Sequence, residues 1–152
     1  MKKSIGIFVF LLSTVVLMSS CKKDVSNLPG TWKVTDAVIN GDNEDDVKDV
    51  WTFTDGGGCV IDCDLDEYFD NIPYDVISFN GTYTTNGNSE LIITSSKFNE
   101  AAGYYEQVVY DLDILSLNKK SMLVSGTIKY IKNMDNVTNT KTSDISLTLA
   151  KK

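Results

Sequence analysis

The sequence contains no arginine and no histidine: all 14 of its basic residues are lysines, set against 21 acids in 152 residues. Without histidine, neither a Ser-His-Asp triad nor a His-bearing zinc site can form. Without arginine, there is no guanidinium fork for phosphates or carboxylates. The net charge of −7 leaves no basic surface, so we expect no nucleic-acid partner. No carboxylate pair stands out for acid–base chemistry, so we expect no enzyme.

The first twenty residues have the pattern of an export signal. Lys2 and Lys3 precede an almost wholly apolar stretch, residues 5–18, which suits a signal peptide and is short for a membrane span. The small residues before Cys21 resemble the bacterial lipobox. This resemblance implies that residues 1–20 are a lipoprotein signal peptide and that Cys21 is the lipid-attachment residue. An ordinary secretory peptide cut near Ser20, or an uncleaved anchor, are the alternatives.

The residues after Cys21 indicate where in the cell envelope the protein is expected to be located. Lys22, and not aspartate, follows the cysteine, which by resemblance to the enterobacterial sorting rule implies the outer membrane. The Lys-Lys-Asp run also resembles export tags on surface lipoproteins of the Bacteroidota. We therefore expect a lipid-anchored protein of the cell envelope, on the periplasmic face or the cell surface. Residues 21–29 are expected to be a tether, and residues 30–152 a single domain.

The domain is rich in Thr, Val, Ile and Tyr, with Gly, Asn and Asp clusters between, which is typical of strands and turns. Several runs alternate apolar and polar residues, as half-buried strands do. Eight strands are predicted: Thr31–Ile39, Val50–Thr54, Cys59–Cys63, Val76–Thr85, Glu90–Ser96, Tyr104–Ser116, Ser121–Ile131 and Asp144–Lys151.

The predicted connections alternate in length. The odd-numbered ones are longer, namely residues 40–49, 64–75, 97–103 and 132–143, and the even-numbered ones are tight turns. In an antiparallel meander this pattern gathers the longer loops at one end. We therefore predict an all-β, eight-stranded antiparallel up-and-down barrel with an open and a closed end. A β-sandwich is the alternative.

Three segments carry a family resemblance. Gly30-Thr31-Trp32, the run Trp51–Gly56 and the hairpin over residues 114–124 resemble the lipocalin-like domains of bacterial lipoproteins. The resemblance implies a calycin barrel that binds a small apolar or amphipathic ligand, with Trp32 as the closed-end cap. Lipocalins pack an arginine over this tryptophan, and here Lys151 or Lys152 would replace it. An interior filled by Trp51, Phe53, Phe79 and Tyr110 would argue against an internal ligand.

Negative charge is concentrated at the predicted open end. Residues 36–75 hold 13 acids and one lysine. Asp62, Asp64, Asp66 and Asp70 resemble the start of a calcium loop, but Glu67 stands where an EF-hand needs glycine. We expect no cofactor, with calcium at these four acids as the alternative. A basic partner attracted by the acidic loops is a second interpretation, and solvated loops that keep the protein soluble are a third.

Aromatic and cysteine residues complete the candidates. Tyr68, Phe69 and Tyr74 share the second long loop, where they would form a ligand mouth or pack the loop over the barrel rim. Cys59 and Cys63 would lie about 13 Å apart on one strand. This separation is too great for a disulfide unless a turn or bulge intervenes. The sequence leaves the oligomeric state open.

Overall fold

The computed structural model describes residues 24–72, 76–100, 103–134 and 137–152. Within them lie nine strands, one short α-helix and a 3-10 turn, Val25–Asn27. The helix α1 spans Leu65–Tyr68. The strands are β1 Gly30–Ile39, β2 Asp42–Glu44, β3 Val50–Phe53, β4 Gly58–Asp64, β5 Val76–Asn86, β6 Glu90–Asn99, β7 Tyr104–Leu117, β8 Ser121–Met134 and β9 Val137–Lys151.

Eight of these strands close into an antiparallel barrel. From β3 onward each strand pairs with the next along the chain, while β1 pairs with both β3 and β9. The ninth strand, β2, lies outside the barrel, paired with the end of β1. The predicted eight-stranded barrel is therefore confirmed over the alternative sandwich. This outside strand forms a hairpin with β1 and lies within residues 40–49, which were predicted to be a loop. It was not predicted.

Alternation of apolar and polar residues determines which side chains fill the barrel. In β7, Tyr110, Leu112 and Ile114 are buried, whereas Asp111 and Asp113 between them face solvent. Burying one large apolar side chain stabilises a fold by roughly 1.5–3 kcal/mol. The barrel is held mainly by this inward-facing set, which continues around all eight strands.

The tight turns lie at one end of the barrel, as predicted, and that end is sealed. Trp32 is 0% exposed and donates from Nε1 to the carbonyl of Leu28 at 2.7 Å. The ammonium of Lys151 lies 5.1 Å from the centre of the Trp32 ring and donates to the carbonyl of Asn27 at 2.8 Å. The segment expected to be a tether is thus packed on the closed end from Val25 onward.

The longer connections lie at the opposite end, but one of them was predicted wrongly. Residues 132–143 were expected to be a loop, whereas β8 runs to Met134 and β9 begins at Val137. Their residues are mostly polar on both faces, so the alternation that marks a strand is missing. The ladder continues regardless, with Asn133 opposite Thr138 and a 2.8 Å bond between their side chains.

The described part of the chain contains no helix that is long and apolar enough to cross a membrane.

Candidate functional site

A buried carboxylate lies at the long-loop end of the barrel. Asp49 directly precedes β3 and continues the inward alternation of Trp51 and Phe53, so its side chain enters the barrel and is 0% exposed. Buried charged groups are uncommon unless they are paired or bound to a ligand. Asp49 is therefore the residue from which we build the site.

Four donors surround the carboxylate. The backbone N–H of Asp64 donates to Oδ1 at 2.8 Å. Oδ2 accepts from the indole of Trp51 at 3.1 Å, the hydroxyl of Tyr68 at 3.0 Å and the hydroxyl of Tyr110 at 3.3 Å. Every one of these donors is neutral. Within the described residues, no lysine forms an ion pair with Asp49.

The pKa of Asp49 depends on the balance between burial and hydrogen bonding. Burial raises the pKa of Asp49 from 3.8 to about 6, because removal from water disfavours the ionised form. The bonds from Asp64, Trp51 and Tyr68 lower the pKa and offset only part of that effect. The four donors that converge on its two oxygens fit the ionised form, a carboxylate anion among neutral groups.

Two thiols lie beneath this network. Cys63 is buried on β4, with its Sγ 3.2 Å from the Tyr110 hydroxyl, and burial raises the pKa of its thiol well above the usual range. Cys59 is buried four residues earlier on the same strand, and burial raises its pKa to about 11. Both cysteines are free. Neither has the depressed pKa that marks a reactive thiol.

A short segment, residues 65–72, closes the mouth and is named the plug. It leaves the end of β4, its Phe69 ring reaches β8, and its carbonyls accept hydrogen bonds from side chains of β9. Its apolar side chains point into the barrel: Leu65, Tyr68, Phe69 and Ile72 are all buried. The ring of Phe69 lies 6.1 Å from that of Tyr130 on β8.

Side chains hold the plug in place. Besides the Tyr68 hydroxyl on Asp49, Ser143 of β9 donates to the carbonyl of Tyr68 at 2.6 Å, and Lys141 donates to the carbonyl of Asp70. The backbone hydrogen bond described for the plug joins two of its own residues: the N–H of Phe69 donates to the carbonyl of Leu65 at 3.1 Å. Asn71 has φ of +63°, which non-glycine residues seldom adopt. The described hydrogen bonds that join the plug to the rest of the barrel therefore all involve side chains.

A second carboxylate lies inward near the mouth. Glu106 of β7 is buried and accepts a hydrogen bond from the hydroxyl of Tyr130 on β8. The Phe69 ring of the plug lies next to the ring of Tyr130. The hydrogen-bonded pair of Tyr130 and Glu106 therefore lies close to the plug, inside the barrel. This end of the barrel differs from the closed end, which is sealed by Trp32 and Leu28.

Outside the plug lies an open groove, named the rim groove, of about 570 Å³. It runs between the β1–β2 hairpin, the plug and β9. Its charged lining is Asp42, Glu44, Glu67, Asp70 and Lys141, and its floor includes Tyr68 and Phe69. The pKa of Glu67 is raised, first by partial burial and then by repulsion from the surrounding carboxylates. Four acids and one lysine thus line a groove that reaches the outer face of the plug.

The predicted ligand-mouth residues do not form an open lid. Tyr68 and Phe69 are 2% and 4% exposed, with their rings directed into the barrel. Tyr74 lies outside the described residues, as does the predicted lipid-attachment residue Cys21. Trp32 is found at the opposite, closed end.

The four predicted calcium ligands are spread over β4 and the plug. Asp64 is buried and accepts from the backbone N–H of Lys48 at 3.0 Å, with the Lys48 ammonium 4.0 Å away. Asp62 is half-buried, and Asp66 and Asp70 are exposed. Within the residues that the structure describes, no group of three or more acids or cysteines could hold a metal ion.

Sequence reasoning missed the central residue of the site. Asp49 was counted only as one of the loop acids, yet a local signal marks it. Val47, Asp49, Trp51 and Phe53 alternate as a buried face, and all four are buried in the structure. A carboxylate at an apolar position of a strand pattern is the signature of a buried functional or structural charge.

No protein-family model, curated protein or solved structure matches the chain.

Proposed function

We propose that this chain is a lipid-anchored protein of the bacterial cell envelope whose lipocalin-like barrel binds a small amphipathic ligand at its long-loop end. The observation that carries the proposal is the asymmetry of the barrel. One end is sealed by packed side chains, and the other is closed by a plug that side chains fasten. An up-and-down barrel of eight strands has room for side chains or one small ligand.

The packing of residues 25–28 supports this arrangement. Val25 and Leu28 pack on the core at the closed end, where the Leu28 carbonyl accepts from Trp32. Cys21 precedes Asp24 by three residues. If Cys21 carries the lipid, the closed end faces the membrane and the plug faces away from it, toward the compartment that supplies a ligand.

The filled interior limits where a ligand can bind. Trp51, Phe53, Phe79 and Tyr110 are buried and occupy the barrel below the plug. We therefore place the ligand inside the barrel where the plug now lies, so binding requires the plug to move. An amphipathic molecule suits this volume, because its walls combine aromatic rings with the carboxylates of Asp49 and Glu106.

The anchor is tested by following the lipid. The full-length chain, expressed in a bacterium fed an alkyne fatty acid, is expected to acquire the label and to sediment with membranes. Cys21→Ser is expected to lose the label, while Cys59→Ser keeps it. Labelling of the Cys21→Ser variant, or none of the unaltered chain, would contradict the anchor.

Ligand binding is tested on the protein from its own membrane. The full-length chain is purified and extracted with organic solvent, and the extract is compared by mass spectrometry with that of another lipoprotein from the same membrane. We expect a small molecule enriched in near-stoichiometric amount. Extracts that do not differ would overturn the ligand-binding function.

The rim groove favours a second candidate function, an interaction surface for a basic partner or calcium. Four acids lie together in the groove, and the charge of Glu44 adds to burial in raising the pKa of Glu67, so a bound cation would relieve this repulsion. Melting temperature is measured in calcium, in EGTA and with an oligolysine peptide. A rise with calcium or peptide, reduced by Glu67→Gln, supports this function. Unchanged melting temperatures would remove it.

A further inference from the structure

The carboxylate of Asp49 has donors but no counter-charge. Its oxygens accept four hydrogen bonds, all from neutral groups. The titratable groups that face it are Cys63 and Asp64 of β4, Tyr68 of the plug and Tyr110 of β7, and none of these is a base. An ion held away from water is usually paired with an opposite charge. The barrel interior is thus suited to a cation that the described residues do not supply.

One of the four donors is separable from the others. Trp51, Tyr110 and the N–H of Asp64 belong to barrel strands, whereas Tyr68 belongs to the plug. If the plug moved outward, Oδ2 would lose the Tyr68 hydroxyl and keep its remaining bonds. The vacated space would have the size of a phenol ring, with the carboxylate at its inner end.

We infer that a small aromatic amine displaces Tyr68, its ring taking the place of the tyrosine ring and its ammonium pairing with the Asp49 carboxylate. This inference rests on the proposed ligand-binding function and specifies the chemical class of its ligand.

The walls of the vacated space favour an aromatic ring. Trp51 and Tyr110 lie edge to face with their centroids 4.9 Å apart, and both direct polar hydrogens at Asp49. Aromatic neighbours favour a second ring and a nearby ammonium. A neutral alcohol would only repeat the bond that Tyr68 already makes. An ammonium adds the missing charge, which gives the ligand an advantage over the plug's own side chain.

The rim groove provides a path for such a ligand. Tyr68 and Phe69 are shared between the groove floor and the barrel interior, and the groove above them carries four carboxylates. A groove whose charged side chains are mostly of one sign, as here with four acids and Lys141, concentrates ions of the opposite sign. A cationic ligand would therefore gather at the outer face of the plug before displacing it.

Benzylamine is the probe, because it has as many non-hydrogen atoms as the tyrosine side chain and carries an ammonium at one end, where Tyr68 carries its hydroxyl. Full-length protein in lipid nanodiscs is titrated at pH 7.5 by calorimetry, with tryptophan fluorescence as a second readout. Benzyl alcohol, a neutral molecule of similar shape, is the control ligand. We expect saturable binding of benzylamine and much weaker binding of benzyl alcohol.

Two variants and a matched control locate the binding. Asp49→Asn is expected to abolish benzylamine binding. Tyr68→Phe is expected to strengthen it about tenfold, because the plug then lacks its bond to the carboxylate and competes less well. Asp113→Asn removes an exposed charge of β7 and is expected to bind like the unaltered chain. Near-UV circular dichroism checks that every variant is folded.

The outcomes separate this inference from the function on which it rests. If neither the unaltered chain nor Tyr68→Phe binds benzylamine at concentrations up to about 10 mM, the aromatic-amine inference is overturned. Equal affinity for benzyl alcohol, or binding that survives Asp49→Asn, would also overturn it. If a small molecule is nevertheless enriched in the solvent extract, ligand binding stands and only its chemistry changes.

Discussion

The hydroxyl of Tyr68 donates a hydrogen bond to Asp49, 3.0 Å away, and so joins the plug to the barrel wall. The bond connects two unusual features. One is a segment that is fastened to the barrel through side-chain hydrogen bonds, and the other is a buried carboxylate without a counter-charge. Because the same oxygen also accepts from Trp51 and Tyr110, the position of the plug and the state of the carboxylate depend on each other.

Tyr68→Phe removes this bond and leaves the ring in place. A hydrogen bond to a charged group contributes about 1.5–3 kcal/mol, so we expect the free energy of unfolding to fall by about 2 kcal/mol at pH 7.5. Urea denaturation followed by circular dichroism measures it. Tyr105→Phe, at an exposed tyrosine of β7, is the matched control and should change stability by under about 0.5 kcal/mol. Equal effects of the two changes would count against the bond.

Asp49 makes the stability of the fold depend on pH. Its pKa is raised from 3.8 to about 6 by burial, so the folded chain binds this proton more tightly than the unfolded chain does. The stability is therefore greatest below pH 4 for this group and falls by about 3 kcal/mol as pH rises through 6.

Asp49→Asn isolates that dependence. The amide does not titrate, so the variant is expected to lack this part of the decline between pH 4 and 6. Glu67, whose pKa is also raised, has no charge interaction with Asp49 among its causes and contributes alike to both proteins. The measurement is the difference between the two urea-unfolding free energies at pH 4, 5, 6 and 7. Curves that stay parallel would show that Asp49 titrates normally in the folded state.

Strand patterns predicted the barrel well because most of its strands have one buried face and one solvent-exposed face. In β7 the alternation of Tyr110 and Leu112 with Asp111 is visible without any structure. The prediction was wrong over residues 132–143, where both faces of the β8–β9 ladder are largely polar. There the strands are specified by backbone pairing and by polar side-chain bonds such as that of Asn133 with Thr138, which hydrophobic periodicity does not detect.

The candidate site was harder to predict because it depends on contacts between distant segments. Tyr68 was selected as an aromatic residue of a long loop, and Asp49 was passed over as one acid among many. Their bond joins residues 19 positions apart, and the third partner, Tyr110, is 61 positions from Asp49. Only closure of the barrel brings these three together, so no local motif contains them.

The closed end gives a prediction about Lys151. Its ammonium lies 5.1 Å from the Trp32 ring and 2.8 Å from the Asn27 carbonyl. Lys151→Met keeps the apolar stem and removes the charge, so we expect a loss of about 1–2 kcal/mol. Lys151→Arg should retain most of the stability, and Lys152→Met, at the exposed last residue, should be close to neutral. Urea denaturation ranks the three. A Lys152→Met loss as large as that of Lys151→Met would refute the capping role.

Gly81 permits the close approach of β5 to β6. It lies opposite Cys59 and Ser95, and an added Cβ would be 2.1 Å from the carbonyl oxygen of Thr94. Because backbone atoms cannot yield as a flexible side chain can, Gly81→Ala must push the two strands apart, at a cost of about 3 kcal/mol. Gly56→Ala is the matched control, since a Cβ there meets nothing within 4 Å. We expect a markedly lower urea midpoint and soluble yield for Gly81→Ala alone. Equal midpoints for the two variants would mean that the strands separate without strain.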